Sequence, residues 1–400
     1  MTAVSGGAKK GPTQMARNNL FRPFIFILFL AAAAVPARAL DTAARAALVV
    51  DHATGTELLA KDADVPLPPA SMSKLMTLFM VFEALQDGRL SLEDTFRVSV
   101  KAWQMGGSKM FLREGNDVRI EDLIRGVIVH SGNDACVVLA EGLAGSETAF
   151  AQRMTKRARE LGMMDSTFAN STGWPDPDHR MSARDLVTLA RLMIDRFPEY
   201  YGYFAEQTFT WDGIEQSNRN PLLGLGLGAD GLKTGHTEEA GYGLVGSAEM
   251  DGRRITFMVS GLTSSRERLN ESERLLEWAF RDFAVEELFP GDTAIASADV
   301  WLGARKTVGL VAAEPVEAVI PWNERNNVET WVEYEGPVEA PIAAGQSIAE
   351  LVISIPGLSE RRVPLLAAAD VGAGGFVTRF TAAAGVLAGR AQQMVLGDDG

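Results

Sequence analysis

A chain of 400 residues leaves room for more than one domain, and a hydrophobic share of 46% can fill a sizeable core. A net charge of −14 excludes a general nucleic-acid binder, which needs a basic face. With Cys136 as its only cysteine, the chain cannot form an internal disulfide. At the start, Lys9, Lys10, Arg17 and Arg22 precede the apolar run Phe24 to Ala34, and Ala37-Arg38-Ala39 offers a small-residue cleavage site. This pattern predicts a secretory signal peptide over 1–39, with an n-region somewhat longer than usual. The apolar run is too short to span a bilayer comfortably, so the mature chain is expected to begin near Leu40, outside the cytoplasm.

Ala47 to Val50 and Thr56 to Ala60, around Asp51 to Gly55, predict two strands and a turn. Pro68 and Pro69 hold back any helix until Ser71, and Leu75, Met76, Phe79 and Phe82 then recur at helical spacing. One helical turn separates Ser71 from Lys74, which places the amine beside the hydroxyl. A serine hydroxyl is a weak nucleophile until a base takes its proton, and a desolvated lysine amine can be that base. The same residues would equally make an N-cap and a solvated first-turn lysine, so the pair alone decides nothing. Gly106, Gly107 and Gly115 mark loops before a helix over Glu121 to Val129, with Leu123, Ile124, Val127 and Ile128 as its stripe. That helix ends at Ser131-Gly132-Asn133. Asp134 to Leu143 predicts another helix, in which Cys136 reads as a small buried side chain. Phe150, Met154, Ala158 and Leu161 mark a further one, and Ser182 to Asp185 has a capping-box pattern ahead of Leu186, Leu189 and Met193.

Lys233-Thr234-Gly235 opens a segment of strand character, and Gly241 to Ala248 and Arg254 to Gly261 alternate around the hairpin signal Asp251-Gly252. Leu275, Leu276, Ala279, Phe280 and Phe283 form a closing helical stripe. Strands at both ends with helices between predict an α/β domain, an antiparallel sheet flanked by helices, over 40–288. After Pro290-Gly291 the segments Ala294 to Leu302, Thr307 to Ile320, Val328 to Tyr334 and Ile348 to Ile355 are β-rich, separated by Pro and Gly. They predict a separate small all-β domain over 289–372, without chemistry of its own and suited to a spacer or interaction role.

Three stretches in order, Ser71-Met72-Ser73-Lys74, Ser131-Gly132-Asn133 and Lys233-Thr234-Gly235, make a stronger signal than any one of them. With their flanks, Ala70 to Thr77, Ser131 to Ala135 and Asp230 to Thr237, they resemble the D-alanyl-D-alanine carboxypeptidases among the low-molecular-mass penicillin-binding proteins. The resemblance is closest from Ala47 to Phe283 and looser beyond. It implies a β-lactamase/transpeptidase-like domain followed by the family's C-terminal β domain. It also implies a serine-type carboxypeptidase that removes the terminal D-alanine from peptidoglycan pentapeptides through an acyl-enzyme, with β-lactam antibiotics as covalent inhibitors. Neither a metal nor another cofactor belongs to that chemistry. The family works in the periplasm and often ends in an amphipathic helix on the inner membrane. Phe376, Phe380, Ala383, Leu387 and Met394 share a helical face within 373–400, while Gly385, Gly389 and the acidic end leave anchoring and a frayed tail both open.

For the reaction, the resemblance makes Ser71 the nucleophile and Lys74 its base, kept neutral by lost solvation or by the field of Lys233. Ser131 would relay a proton to the leaving amine, and Asn133 would bond the substrate's peptide group, although Ser-Gly-Asn is also a plain turn. Lys233 and Thr234 would face the terminal carboxylate, with Gly235 allowing close approach. The backbone N–H groups of Ser71 and His236 would form the oxyanion hole, and the side chains of His52, His130, His179 and His236 need do no chemistry. Arg219 and Arg268 match basic residues near the carboxylate site, a role that surface arginines also mimic. Asn170 and Gly173 fall where the family has an Asn-x-x-Gly-Leu phrase, but Trp174 replaces the leucine.

Three rivals are weighed against the carboxypeptidase. A class A β-lactamase adds a Glu-x-x-Leu-Asn phrase between the second and third motifs, and none occurs between Asn133 and Lys233. A D,D-endopeptidase would use the same residues. A non-catalytic cell-wall binding protein would have no need of the complete trio.

Overall fold

The computed structural model describes residues 40–375; the predicted signal peptide and residues 376–400 of the predicted tail lie outside them. The chain forms two compact units, one ending at Phe283 and the other starting at Ala284. Among the described residues no helix is long and apolar enough to cross a membrane.

The first unit is built on a five-stranded sheet in the order β2-β1-β9-β8-β7, antiparallel throughout. Its strands are β1 (Ala46–Asp51), β2 (Glu57–Lys61), β7 (Ala229–Thr237), β8 (Gly241–Met250) and β9 (Arg253–Leu262), with β3 to β6 falling between β2 and β7 in the chain. All six residues of β1 are buried, as expected of a strand with a neighbour on each side and packed faces. Side chains alternate across a strand, so Ala46, Leu48 and Val50 join the helical core while Ala47 and Val49 turn to the other face. The β8–β9 hairpin closes where the sequence predicts: Met250 pairs with Arg253, and Asp251 and Gly252 both take positive φ, as a tight two-residue turn requires.

Between β2 and β7 lie the helices. α1 (Lys74–Gln86) is apolar on all sides, with Leu75, Met76, Leu78, Phe79, Val81 and Phe82 fully buried, so it forms the centre of the unit. Around it stand α2 (Val100–Gln104), α3 (Ile120–Ile128), α4 (Asn133–Ala144), α5 (Glu147–Glu160), α6 (Ala183–Arg196) and the short α7 (Pro198–Tyr201). Two small hairpins, β3 (Thr95–Arg97) with β4 (Asp117–Arg119) and β5 (Thr208–Trp211) with β6 (Ile214–Ser217), complete this part. α8 (Ser265–Arg281) follows the sheet and packs on β8 and β9.

The capping box expected at Ser182 is half made. Ser182 Oγ accepts the Asp185 N–H at 3.1 Å, but the Asp185 carboxylate turns to the Asp165 N–H and the Ser166 hydroxyl. Those donors come from the loop ahead of Asn170, so the acid fastens that loop instead of closing the cap.

The second unit is all-β, with β10 (Phe283–Phe289), β11 (Ala294–Trp301), β12 (Thr307–Val311), β13 (Val316–Pro321), β14 (Glu329–Glu333), β15 (Val338–Glu339), β16 (Ser347–Ser354) and β17 (Arg361–Ala367). Six of them form a sheet in the order β14-β16-β17-β12-β11-β15, and β10 pairs with β13. Leu310, Ile320, Leu351, Ile353 and Leu365 lie in a core of its own. The β-rich segment Thr307 to Ile320 holds two strands, broken ahead of Pro315, whose ring nitrogen cannot donate to a ladder. β10 takes in the last residues of the domain expected over 40–288. Its pairing with β13 ties it to the second, and the division falls after Phe283.

Phe79 meets Phe197 edge-on with ring centroids 5.1 Å apart and has no solvent exposure. Phe79→Ala is expected to destabilise the first unit by about 3–5 kcal/mol, seen as an earlier midpoint in urea unfolding.

Candidate active site

Ser71 lies in a single 3₁₀ turn, Ala70–Ser73, immediately ahead of α1 and not within the helix itself. Pro69 begins the turn, and its carbonyl accepts the Met72 N–H. The tight turn still sets Lys74 over Ser71, and Lys74 Nζ donates to Ser71 Oγ at 2.7 Å. A second bond from the same nitrogen reaches the Thr172 carbonyl at 2.6 Å. Lys74 is fully buried, and loss of hydration lowers its pKa to about 8. The Asp134 carboxylate opposes that shift, and Arg219 adds to it.

Lys233, also buried, is pushed well below the ordinary lysine range by dehydration first and by Lys74 next, and that repulsion acts on both lysines alike. Arg219 adds a further positive field at Lys74. Two ammonium groups in one dry interior cannot both hold their protons cheaply, so a neutral amine is available there.

The third motif lies on β7, which stands at the edge of the sheet with β8 as its one partner. Lys233 and Thr234 are buried, and Lys233 Nζ donates to the Thr234 carbonyl at 3.2 Å. Gly235 backs onto Pro69 and Ala70, which brings this motif against the Ser71 turn. His236 is exposed and stacks on Tyr242, 3.9 Å between centroids, and the Arg268 guanidinium sits 5.8 Å from the other contact of that column, the Tyr242 ring. Arg268, on α8, is largely buried, and its charge is felt at Lys233.

Ser131 and Asn133 belong to the junction of α3 and α4, where Ser131 is buried and takes a φ of +55°. The Asn133 amide donates to the Gly106 carbonyl at 2.8 Å, and its backbone N–H donates to the Ser108 carbonyl at 2.8 Å. Arg219 reaches the same loop, with its guanidinium 2.5 Å from Ser108 Oγ. Every predicted site residue therefore lies in the first unit, and contacts or mutual fields link the three motifs and both arginines.

Four further groups build the site without having been singled out in that role from the sequence. The buried Asp134 carboxylate accepts the N–H groups of Met110 (2.9 Å), Leu112 (3.1 Å) and Ala135 (3.0 Å), pinning the loop that faces Asn133. Glu147 accepts the Ser171 N–H and hydroxyl and pairs with Lys101 at 2.7 Å; burial raises its pKa, but these partners outweigh burial and hold it low. Asn170 Oδ1 gathers the N–H groups of Thr172, Gly173 and Trp174. The fourth is the Thr172 carbonyl that meets Lys74. Gly173 has a φ of +78°, and a Cβ there would fall 1.9 Å from the Ala70 carbonyl oxygen, so that turn admits no side chain. An acid beside a motif and a Gly in a loop were the available signals; the partners they would choose were not.

Fold and site together define a serine peptidase of the penicillin-binding class. The family described as D-alanyl-D-alanine carboxypeptidase matches residues 32–263, and the penicillin-binding protein 5 C-terminal domain matches 283–373. The chain is 37% identical over 368 residues to D-alanyl-D-alanine carboxypeptidase DacC of Escherichia coli, covering 89% of this chain and 92% of that one. It resembles the crystal structure of penicillin binding protein 5 from Haemophilus influenzae with a TM-score of 0.75 and 34% identity, over 83% of this chain and 98% of that one. An ampicillin-bound penicillin-binding protein D2 from Listeria monocytogenes matches with a TM-score of 0.56 and 32% identity, over 60% of this chain and 99% of that one. This chain belongs to the D-alanyl-D-alanine carboxypeptidase family.

With lysines carrying a ¹³C label at Cε, NMR of the folded protein is expected to show one resonance titrating near pH 8, assignable to Lys74 by Lys74→Arg. Arg219→Ala should move that midpoint upward, because the guanidinium disfavours a second positive charge. An unmoved midpoint would count against the assigned field.

Proposed function

We propose that the protein is an exported serine D,D-carboxypeptidase that trims the terminal D-alanine from peptidoglycan pentapeptides, with Ser71, Lys74 and Ser131 as its reacting groups. The observation that carries this reading is the 2.7 Å bond between Lys74 Nζ and Ser71 Oγ in an interior that holds the amine near pH 8. Neutral Lys74 takes the Ser71 proton as Oγ attacks the carbonyl of the penultimate D-alanine. The N–H groups of Ser71 and His236 receive the developing oxyanion. The C–N bond breaks, and the proton passes from Lys74 through Ser131 to the departing D-alanine amine. Water then attacks the ester and restores the Ser71 hydroxyl.

The free edge of β7 suits an extended peptide, which can add to it by backbone hydrogen bonds. Lys233, Thr234, Arg219 and Arg268 would hold its terminal carboxylate, Asn133 would bond the scissile unit's amide, and Gly235 would serve by letting the Ser71 turn pack closely against β7. A β-lactam would acylate Ser71 in the same position. Periplasmic location rests on the leader pattern over 1–39, and a seat on the inner-membrane surface rests on the apolar face from Phe376 to Met394.

Since the base acts in its neutral form, acylation by a fluorescent penicillin should rise about tenfold per pH unit below pH 8 and level off above it. Lys74→Arg, always protonated, should lose orders of magnitude in rate while remaining folded by circular dichroism, and Ser71→Ala should not be labelled. A flat pH profile would oppose Lys74 as the base.

D-alanine release from an acyl-Lys-D-Ala-D-Ala peptide, with none from the L,L counterpart or from its amidated form, is the expected substrate pattern. Faster cleavage of a cross-linked dimer would make the protein an endopeptidase. Fast nitrocefin turnover without peptide cleavage would make it a β-lactamase, and labelling with no turnover of any substrate a wall-binding protein.

A further inference from the structure

His130 stands directly ahead of Ser131 and has no solvent exposure, yet the reaction above gives it nothing to do. Its Nε2 lies 2.8 Å from the Phe209 carbonyl oxygen on β5. A carbonyl can only accept, so Nε2 carries the ring proton and donates, which leaves Nδ1 bare. Nδ1, also buried, has no partner among the described residues. Burial is the largest influence on the ring and holds it below the ordinary histidine pKa, so it is uncharged near neutral pH. The imidazole also lies against the Phe209 ring, tilted by 34° with centroids 5.1 Å apart.

What this bond holds is a strained residue. The φ of +55° at Ser131 lies in the left-handed region, which costs a side chain about 1–3 kcal/mol and persists only where the surroundings impose it. Beyond Ser131 the chain is fastened twice: the Gly132 N–H donates to the Gly126 carbonyl at 2.9 Å and the Asn133 N–H to the Ser108 carbonyl at 2.8 Å. Ahead of it, the Val129 N–H still serves α3 by donating to the Arg125 carbonyl, and the next fastening is the His130 side chain. The hairpin that receives His130 is itself tied to the site. Phe209 pairs with Gln216 across it, and the Gln216 amide donates to the Lys109 carbonyl at 3.0 Å. Lys109 follows Ser108, which bonds Asn133 and meets Arg219. One rung of the β5–β6 hairpin therefore holds both sides of the junction that carries Ser131.

We propose that His130 is a positioning residue: its bond to the Phe209 carbonyl fixes the strained Ser131 so that the hydroxyl can pass a proton to the departing amine. The inference rests on the carboxypeptidase reading, in which Ser131 is that relay. Without the bond, the junction can relax toward an unstrained backbone and carry the hydroxyl out of line. A misplacement of an ångström in such a site costs about a hundredfold in rate. The loss should fall on the step that needs the relay and spare a reaction that does not.

Two substrates separate this role from general damage. Nα,Nε-diacetyl-L-Lys-D-Ala-D-Ala expels an amine, which must gain a proton as it leaves. The thioester ending in D-Ala-thioglycolate keeps the terminal carboxylate but expels a thiolate, which needs none. With the full chain, kcat/KM, which reports acylation, is measured on both for the wild type, Ser131→Ala, His130→Leu and His130→Gln. Ser131→Ala and His130→Leu should each lose about ten- to a hundredfold on the peptide and stay within about twofold of wild type on the thioester. His130→Gln, whose amide can donate to the same carbonyl, should return the peptide rate to within about threefold of wild type. Equal losses on both substrates in His130→Leu, or a loss on neither, would overturn the positioning role and leave the carboxypeptidase reading standing. A Ser131→Ala variant without the selective loss would sink the relay, and the role of His130 with it. A measurement on the wild type tests the donor without the leucine variant. Its ¹⁵N NMR spectrum at neutral pH should show the His130 ring, assigned by its disappearance in His130→Gln, protonated at Nε2 and bare at Nδ1. A proton on Nδ1 instead would overturn the proposal.

Discussion

Two lysine side chains, Lys74 and Lys233, are buried together at the head of α1, and much of the first unit is arranged around that fact. Moving an ammonium out of water costs several kcal/mol even after relaxation, and two together repel. The amine of Lys74 can instead give up its charge and keep its hydrogen bonds, because Ser71 Oγ and the Thr172 carbonyl are both in place to accept. Dehydration therefore supplies a base near neutral pH from a residue that is ordinarily far too protonated to serve.

Holding that arrangement falls to groups that do not themselves react. The Thr172 carbonyl is aimed by a turn that Asn170 gathers with one oxygen and Glu147 fastens through Ser171. On the other flank, Asp134 pins the loop that meets Asn133 and Arg219. Each of these is a buried or half-buried acceptor with two or more donors, a strong arrangement because the donors would otherwise be unpaired. A shift in either loop would be felt at Lys74 or Asn133, and positioning errors of an ångström are costly in a preorganised site.

The sheet contributes an edge. β1 and β9 are enclosed by neighbours, whereas β7 keeps one row of backbone groups unpaired by the sheet, directly beside the Ser71 turn. An open edge is normally a liability, and here it is the feature that gives an extended peptide a register relative to the nucleophile.

Much of this was legible in the residues. The helical spacing behind Ser71 placed α1, the Asp251-Gly252 signal placed a hairpin, and the three ordered motifs named Ser71, Lys74, Ser131, Asn133, Lys233, Thr234, Gly235 and His236 as a set. Local rules suffice there, because helical spacing and turn chemistry act over a few residues. What remained for the tertiary structure was the choice of partners: where the Asp185 carboxylate turns, which carbonyl receives the lysine, and to which unit β10 belongs. Those contacts join positions far apart in the chain, such as Lys74 with Thr172 and Glu147 with Ser171. No periodicity encodes them, since they exist only once the loops are folded over one another and water has been driven out from between them.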